Sequence, residues 1–437
     1  MGCPKNLVDS EVLAGILEKN GYVFSDVLRA ADTVIVNTCS FIKPAEDESI
    51  RKISEISKLK KARGIKALVV AGCLPARHDP GELLEMFSEA DAFIGPGDIL
   101  NIDGVLADVF GGARVVKVDS NPSFIYNEKH RRHLLTPRHY AYLKISEGCA
   151  NGCSYCAIPA IRGGLRSRDI ASIVREAENL AAGGALSEIN LIAQDTTAYG
   201  TDIYGRGALL KLLKKLSEKK PCRWLRVLYM HPAHINDELL DFFAGSASVC
   251  SYFDLPLQHV NDRLLGLMGR KVSKKRIYSL IEKLRKKIKG ACIRTSLMVG
   301  FPTETEAEFR ELAGFLRSAE LDRVGVFKYS RQPGTAAYGL GDTVPEPEKE
   351  ARYKELMQEQ QRVSGSINSA FVGREMEALV DGTDAGKKVL LCRTYRDAPE
   401  IDGYVVVKQA GKKRKPGDFI KVRVTASDSY DLAGEVI

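Results

Sequence analysis

Three cysteines lie within eight residues of each other near the middle of this 437-residue chain. Cys149, Cys153 and Cys156, here called the loop triad, have the spacing C-x3-C-x2-C. Three thiolates can hold three irons of a 4Fe–4S cluster and leave the fourth iron open, as a catalytic metal site requires. A structural zinc site is the alternative, but such sites take four protein ligands and no fourth Cys or His lies nearby in the sequence.

The segment that carries this triad, Ser-Glu-Gly-Cys-Ala-Asn-Gly-Cys-Ser-Tyr-Cys, resembles the signature of the radical S-adenosylmethionine (SAM) superfamily. The resemblance implies that SAM chelates the open iron and is split by one electron to a 5′-deoxyadenosyl radical, which abstracts hydrogen from C–H bonds. It also implies that Tyr155 lies near the adenine, that Asp195 binds the amino group of SAM, and that Gly300 packs close to SAM. A helix cap is the alternative role for Asp195, and a plain turn is the alternative for Gly300.

A second set of cysteines is dispersed along the first part of the chain. Cys39 follows the apolar run Thr33–Asn37, Cys73 follows the apolar run Ala67–Ala71, and Cys3 lies in a Gly-Cys-Pro turn. Both runs are typical of buried parallel strands, so Cys39 and Cys73 are expected at one edge of a sheet, where open α/β sheets bind ligands. Geometry alone leaves two interpretations of this sheet triad open, a second 4Fe–4S cluster and buried structural thiols.

The surroundings of the sheet triad resemble the amino-terminal domain of the methylthiotransferase family. The matching segments are Gly-Cys-Pro-Lys-Asn-Leu-Val-Asp-Ser-Glu (2–11), Asn-Thr-Cys (37–39) and Ala-Gly-Cys (71–73). In that family the three cysteines bind an auxiliary 4Fe–4S cluster that delivers sulfur, so the resemblance implies the same for Cys3, Cys39 and Cys73. Family members carry a strand before the first Gly-Cys that this sequence does not show, so either its start is truncated or the sheet lacks this strand.

Within the family, the chain resembles the RimO branch, which modifies an aspartate of small-subunit ribosomal protein twelve. The similar segments are Cys-Pro-Lys-Asn-Leu-Val-Asp-Ser (3–10), Gly-Gly-Leu-Arg-Ser-Arg (163–168), Leu-Pro-Leu-Gln-His (255–259) and Ala-Pro-Glu-Ile-Asp-Gly (398–403). The implied reaction converts an aspartate Cβ–H to Cβ–SCH3, with one SAM as radical source and another as methyl donor. Implied partners are the ribosomal protein, free or in the ribosome, a sulfur donor, and an electron donor such as flavodoxin or ferredoxin.

Two other functions compete with this one. A tRNA adenosine methylthiotransferase should grip phosphates with a clearly basic carboxyl-terminal domain, yet residues 373–437 hold 12 Lys and Arg against 11 Asp and Glu. The basic run Lys412–Lys415 is either a contact with ribosomal RNA or a solvated turn. A non-catalytic iron–sulfur protein, either an electron carrier or an RNA-binding module, is the third possibility.

The elements that must position these residues fall into three regions. Residues 1–125 alternate apolar runs and helices and predict a flavodoxin-like, doubly wound α/β domain that binds the auxiliary cluster. Residues 135–365 repeat the alternation six times and predict a partial (βα)6 radical SAM barrel, with its chemistry at the carboxyl ends of the strands. Its expected strands are Tyr142–Ser146, Glu188–Ala193, Leu225–Met230, Tyr252–Leu257, Ile293–Gly300 and Arg323–Tyr329, with helices at Asp169–Ala182 and Ser273–Ile288. Residues 370–437 predict a small all-β, OB-like TRAM barrel after a charged helix at Glu348–Val363.

The amino-acid composition indicates the class of protein and its expected location. The 44% hydrophobic and 27% charged residues are typical of a globular protein with a large core, and the net charge of +8 suits either a ribosomal partner or plain solubility. We expect a cytoplasmic protein with no membrane partner, because neither an apolar span nor a leader is visible. No stable DNA partner is expected either.

His231 and His259 end predicted strands and either face the active site or serve as interior histidines. The other four cysteines are expected to be buried structural thiols: Cys222, Cys250, Cys292 and Cys392.

Overall fold

A computed structural model describes residues 2–384, 386–409 and 413–437 of the chain, so Lys412 of the basic run lies outside the described residues. The architecture is α/β and ends in a closed β-barrel, which confirms the predicted fold class. Among the described residues, no helix combines the length and the apolar character needed to span a membrane.

The amino-terminal unit is a four-stranded parallel sheet with helices on both faces. Alternate strand residues point to opposite faces, so Val69 and Ile94 pack with α1 and α4, whereas Leu68 and Phe93 pack with α2 and α3. The sheet order is β1-β2-β3-β4 with β1 at an edge, and α1 is the first described element. The elements are α1 Pro4–Lys19, β1 Thr33–Thr38, α2 Lys43–Arg63, β2 Ala67–Gly72, α3 Pro80–Met86, β3 Ala92–Ile94, α4 Ile102–Phe110 and β4 Val115–Lys117.

The central unit contains six parallel strands that form a partial barrel. Hydrogen-bonded pairing joins them as two three-stranded sheets, and the Met230 N–H donates to the Asp254 carbonyl (2.9 Å) where the two sheets meet. The barrel strands are β5 Tyr140–Lys144, β8 Glu188–Ile192, β9 Trp224–Val227, β10 Tyr252–Asp254, β11 Cys292–Val299 and β12 Arg323–Lys328. A short hairpin lies beside them, with β6 Ser146–Glu147 and β7 Arg166–Ser167.

Two helices of the barrel begin directly after the first residues of the predicted helical stretches, which serve as their caps. Asp169 accepts backbone hydrogen bonds at the start of α6, and Ser273 accepts one from Arg276 at the start of α10. The helices are α5 Ile158–Arg162, α6 Ile170–Ala181, α7 Ala208–Lys219, α8 Asp237–Gly245, α9 Asp262–Leu267, α10 Lys274–Lys287, α11 Glu306–Ala319 and α12 Glu346–Ser369. Helix α12 is longer than predicted at both ends.

Strands β9 and β10 end about three residues earlier than the apolar pattern predicted. The chain leaves each strand direction through a residue in the left-handed region, Tyr229 at φ 60° and Gln258 at φ 71°. Such conformations are unfavourable for residues with a Cβ and tend to collect at functional sites. The carboxyl end of the barrel therefore carries backbone strain that hydrophobic patterning does not reveal.

The carboxyl-terminal unit is a closed five-stranded barrel that plugs the amino end of the central barrel. Its strands are β13 Glu375–Asp384, β14 Val389–Arg393, β15 Val405–Lys408, β16 Phe419–Ser427 and β17 Leu432–Val436. The segment 394–402 between β14 and β15 meets the first residues of the barrel strands. There the Tyr252 hydroxyl donates to Asp402 (2.6 Å), and Arg396 pairs with Asp322 (2.8 Å).

Candidate active site

The loop triad lies at the carboxyl end of β5, on a turn held by close backbone packing. Gly148 has φ 71°, and a Cβ at this position would lie 2.0 Å from the Gly164 carbonyl oxygen. Gly269 approaches the loop from α9 so closely that its Cβ would lie 2.5 Å from the Gly152 carbonyl oxygen. Only glycine fits these two positions, so the path of the loop is defined by backbone contacts.

The thiols of the loop triad are partly buried and close enough to influence one another. Burial raises the pKa of the Cys149 thiol, and burial with the charges of Cys153 and Cys149 raises the pKa of Cys156 to about 12. Three neighbouring thiolates in such a place repel one another and need a cation between them. Iron in a cluster supplies that positive charge, so the donor set fits a metal cluster.

A buried arginine donates hydrogen bonds to this loop. Arg270 donates to the Cys153 sulfur (3.4 Å) and to the Tyr155 hydroxyl (3.4 Å), and its other terminal nitrogen bonds the Pro256 carbonyl oxygen. It is 4% exposed, so its charge acts in a medium where electrostatic attraction is strong. Tyr155 packs against the cluster of apolar side chains around Phe301.

Asp195 caps a short 3-10 helix and is tied to the cysteine loop. One carboxylate oxygen accepts the Thr197 N–H (2.9 Å), and the other accepts from the Asn151 amide (2.7 Å) and lies 2.9 Å from His234 Nδ1. Burial raises the pKa of Asp195, but His234 and Thr197 outweigh it and hold that pKa at about 2. The ionised carboxylate therefore already has partners on both oxygens, while the Oε1 atom of neighbouring Gln194 is a buried acceptor that bonds no described group.

The other candidates at the strand ends have structural partners. Gly300 has φ 72°, and a Cβ there would lie 2.3 Å from the Lys349 side chain of α12, so packing alone requires glycine. His259 is fully buried between Glu304 (3.2 Å) and the Asn261 N–H (2.9 Å). Burial lowers the pKa of His231 to about 3, so its imidazole is neutral where it stacks on His234.

The sheet triad comes together at the carboxyl edge of the amino-terminal sheet. Cys39 follows β1, Cys73 follows β2, and Cys3 caps the first turn of α1. The Cβ that Gly2 lacks would lie 3.2 Å from the Cys39 Cβ. Besides burial, the charge of Cys3 raises the pKa of Cys39, and the charges of Cys39 and Cys3 raise the pKa of Cys73. The residues dispersed over 71 positions therefore form one group of thiols.

The three thiols of this group differ in electrostatic environment. Burial raises the pKa of Cys73 to about 11 and also raises that of Cys39. Burial acts in the same direction on Cys3, but Lys5, Arg162 and the backbone N–H groups at the start of α1 lower its pKa overall. Cys3 is thus the thiol of this triad most readily ionised, and the set as a whole fits metal ligation.

Arg162 connects the two units through a buried network of charges. It pairs with Asp9 of α1 (2.9 Å) and Glu147 (3.0 Å), and it donates to the Cys73 sulfur (3.6 Å). Lys144 completes the network by pairing with the same two carboxylates, at 2.6 Å from Glu147. Burial opposes ionisation of Glu147, but Arg162 and Lys144 hold its pKa far below its ordinary value.

Packed side chains between the two cysteine triads form a shared wall. Cys73 packs against Ala157 and Ile161, which directly follow the loop triad. Burial lowers the pKa of Arg77, and the charges of Glu46, of Cys73 and of Cys156, one thiol from each triad, raise it. Two thiol groups from different units of the chain therefore face a common region at the carboxyl end of the barrel.

Several residues of this region were not found from the sequence. Arg162, Arg270, Arg77 and His234 belong to no spacing pattern, and their roles depend on partners far away in the chain. Asn151 lies inside the cysteine motif, but its bond to Asp195 is visible only in the structure. Lys5 did stand inside the motif that resembled the RimO branch, but nothing in the sequence indicates where its side chain points.

Comparison with known protein families divides the chain in the same order as its folded units. The model of the radical SAM superfamily matches residues 143–316. A family described as Uncharacterized protein family UPF0004 matches residues 1–95, and the TRAM domain matches residues 372–437.

Similar proteins span the full chain. A ribosomal protein uS12 methylthiotransferase RimO from Heliobacterium modesticaldum is 44% identical over 437 residues, which is all of this chain and 94% of that protein. The protein of the same name from Geotalea uraniireducens is 44% identical, with 100% of this chain and 97% of that protein covered. Among solved structures, the radical S-adenosylmethionine methyltransferase TsrM from Kitasatospora setae superposes with a TM-score of 0.56 at 19% identity, covering 77% of this chain and 72% of that one, which supports the fold.

Proposed function

The chain belongs to the RimO family of radical SAM methylthiotransferases, and we propose that it attaches a methylthio group to the β-carbon of an aspartate in ribosomal protein uS12. The observation that carries this proposal is the shared wall between the two triads, because the reaction needs hydrogen abstraction and sulfur delivery at one carbon. The substrate follows from the names of relatives that match this chain over its full length.

We assign the loop triad to the radical-generating 4Fe–4S cluster and the sheet triad to the auxiliary one. When bound, SAM and the reduced cluster supply a radical that abstracts hydrogen from an unactivated C–H bond, and the auxiliary cluster supplies sulfur. Arg270 orients the loop at Cys153, and Arg162 orients Cys73 while its two carboxylate partners neutralise its charge. Both arginines are almost fully buried, so they also exclude water from the walls of the site.

We infer that SAM lies between the loop triad and the end of β8. Gln194 offers an acceptor without a partner among the described residues, which suits the amino group of SAM. Asp195 is the second acceptor that we propose for the amino group of SAM, which it binds either directly or through Asn151. We place Tyr155 beside the adenine of SAM. We also propose that Gly300 lies next to SAM, although the packing of the Lys349 side chain already requires a glycine at this position.

The remaining parts of the proposal concern organisation and partners. We propose units at 1–125, 135–365 and 370–437, and a cytoplasmic location, where ribosomal proteins are made and assembled. An electron donor such as flavodoxin or ferredoxin and a separate sulfur donor complete the cycle, because the reaction consumes electrons and one sulfur per turnover.

Mass spectrometry of two candidate substrates tests the proposal. Anaerobically reconstituted protein, with about eight irons per chain, is reduced and incubated with SAM and either uS12 or bulk tRNA. We expect one added methylthio group on an aspartate of uS12 and none on tRNA adenosine. Modified tRNA with unmodified uS12 would establish the tRNA enzyme instead, and absence of SAM cleavage would indicate a non-catalytic iron–sulfur protein.

A further inference from the structure

Lys5 is a buried amine with no carboxylate partner among the described residues. It is the second residue of α1, two positions after Cys3, and only 8% exposed. Among the described residues its ammonium group lies within 4 Å of no carboxylate and donates no hydrogen bond to the protein. Burying an unpaired charge is costly, so a lysine kept in this state indicates a partner that the folded chain does not itself provide.

The acidic groups nearest to Lys5 are already engaged. Asp254 pairs with Arg294 (2.8 Å) and accepts the Tyr229 N–H (2.9 Å). Glu147 pairs with both Lys144 (2.6 Å) and Arg162 (3.0 Å). The carboxylates near Lys5 are therefore paired elsewhere, and the other acidic group beside it is the Cys3 thiol, which the proposed function assigns to the auxiliary cluster.

The ring of Tyr229 holds the ammonium group of Lys5 in place. The Lys5 Nζ atom lies 3.3 Å from the ring centroid, a close cation–π contact that orients the amine without neutralising its charge. Tyr229 itself stands at φ 60° at the end of β9, with its N–H fixed by Asp254. Its hydroxyl bonds no described protein group, so a second donor stands beside the amine.

Lys5 lies on the side of the site that holds the sheet triad. Arg270 is the cation that bonds the loop triad, whereas Lys5 follows Cys3 of the sheet triad by two residues. An anion bound at Lys5 would therefore lie next to the sulfur-delivering cysteines. In the proposed reaction, the group that must lie there is the substrate aspartate, whose carboxylate is one bond from the carbon that receives sulfur.

We propose that Lys5, supported by Tyr229, binds the side-chain carboxylate of the substrate aspartate and gives the enzyme its preference for aspartate over asparagine. This inference rests on the proposed function and names the recognition element within it. Lys5 is a specificity-determining residue that contacts substrate, and Tyr229 positions it and offers a second hydrogen bond.

Equilibrium binding tests the proposal without relying on turnover. Fluorescently labelled uS12 peptides with Asp, Asn or Ala at the target position are titrated with the iron-reconstituted, unreduced enzyme and followed by anisotropy. A hydrogen bond to a charged group corresponds to a roughly 10- to 100-fold change in affinity. We expect wild type to prefer the Asp peptide by that factor, Lys5→Met to bind Asp and Asn peptides equally, and Tyr229→Phe, which keeps the ring, to lose only about 3- to 10-fold.

Controls distinguish recognition from a structural role. Lys19→Met removes an exposed lysine from the other end of α1 and should keep the wild-type preference. Lys5→Arg keeps the charge and should retain part of the preference. Iron content is measured for every variant, and a Lys5→Met protein that loses half of its iron would show that Lys5 serves the auxiliary cluster and would overturn the proposal.

The same experiment separates this inference from the proposed function. If wild type shows no preference for the Asp peptide, or if Lys5→Met retains it, the assignment of Lys5 is wrong even when uS12 is methylthiolated. If wild type fails to modify the Asp peptide on reduction with SAM, the proposed function fails and the Lys5 assignment fails with it.

Discussion

The two ends of the central barrel use buried charge in different ways. At the amino end, Glu188 pairs with Arg226 and Arg393 at 2.7 Å each, and the segment 394–402 closes over them. At the carboxyl end, Lys5 pairs with no carboxylate among the described residues, and the Gln194 Oε1 atom bonds no described group. Paired charges specify how two units dock, whereas unpaired groups are tolerated where a ligand supplies the missing partner.

The largest expected effects come from replacing cysteines at the carboxyl end of the central barrel, and these effects differ between the two triads. The Cys153→Ala variant should make neither 5′-deoxyadenosine nor methylthiolated product, because both depend on the cluster at the loop triad. The Cys39→Ala, Cys73→Ala double variant should still make 5′-deoxyadenosine but leave the aspartate without sulfur. Chromatography of nucleosides and mass analysis of the peptide measure both. Full methylthiolation by the double variant would show that these cysteines are ordinary core thiols.

Removing a buried ion pair at the amino end of the central barrel should lower the stability of the fold and leave the reaction unchanged. Arg393 is 1% exposed and binds Glu188 and Asp381, so Arg393→Ala should lower the free energy of unfolding by about 3–5 kcal/mol. Chemical denaturation followed by circular dichroism measures the loss. Arg423→Ala is the matched control in the same β-barrel, because its pair with Glu375 is half-exposed and should contribute at most about 1 kcal/mol. Equal losses in the two variants, or loss of iron from Arg393→Ala, would contradict the contrast between the ends.

The smallest effect should come from a cysteine that belongs to neither end. Cys392 is fully buried among apolar residues of the carboxyl-terminal barrel, and burial raises its pKa to about 12. The Cys392→Ala variant should keep about eight irons per chain and the wild-type rate, with a loss of stability near 1 kcal/mol. Iron analysis and thermal unfolding check this, and a variant with fewer irons would mean that a cysteine outside the triads takes part in ligation.

Much of the fold could be predicted from local patterns. The six barrel strands lie where apolar runs indicated them, and the caps at Asp169 and Ser273 mark the starts of α6 and α10. The ends of β9 and β10 were placed too late, since apolar residues continue beyond the hydrogen-bonded strands as far as Met230 and Leu257. Hydrophobicity reports burial, and the residues beyond these strand ends are buried in loops.

The structure places the loop triad, Cys39 and Cys73 at the strand ends that the sequence indicated, and the role of the cysteines of each triad as cluster ligands remains a prediction. The roles predicted for Tyr155, Asp195 and Gly300 remain predictions, and the structure gives Asp195 its alternative role as a cap. Of the two histidines, His259 is held between Glu304 and Asn261, as an interior histidine would be. Arg162 and Arg270 escaped prediction because an isolated arginine in a sequence usually faces solvent.

What the sequence by itself determined is therefore local: the loop triad within eight residues, the alternation of strands and helices, and the RimO-type motif that includes Lys5. Only the tertiary structure decided that Cys73 meets Arg162, 89 residues away, that segment 394–402 closes the amino end of the barrel, and that Lys5 is buried against Tyr229. The reason is physical. Local spacing sets backbone conformation and the faces of helices and strands, whereas contacts between distant residues exist only once the cores have packed and brought them together.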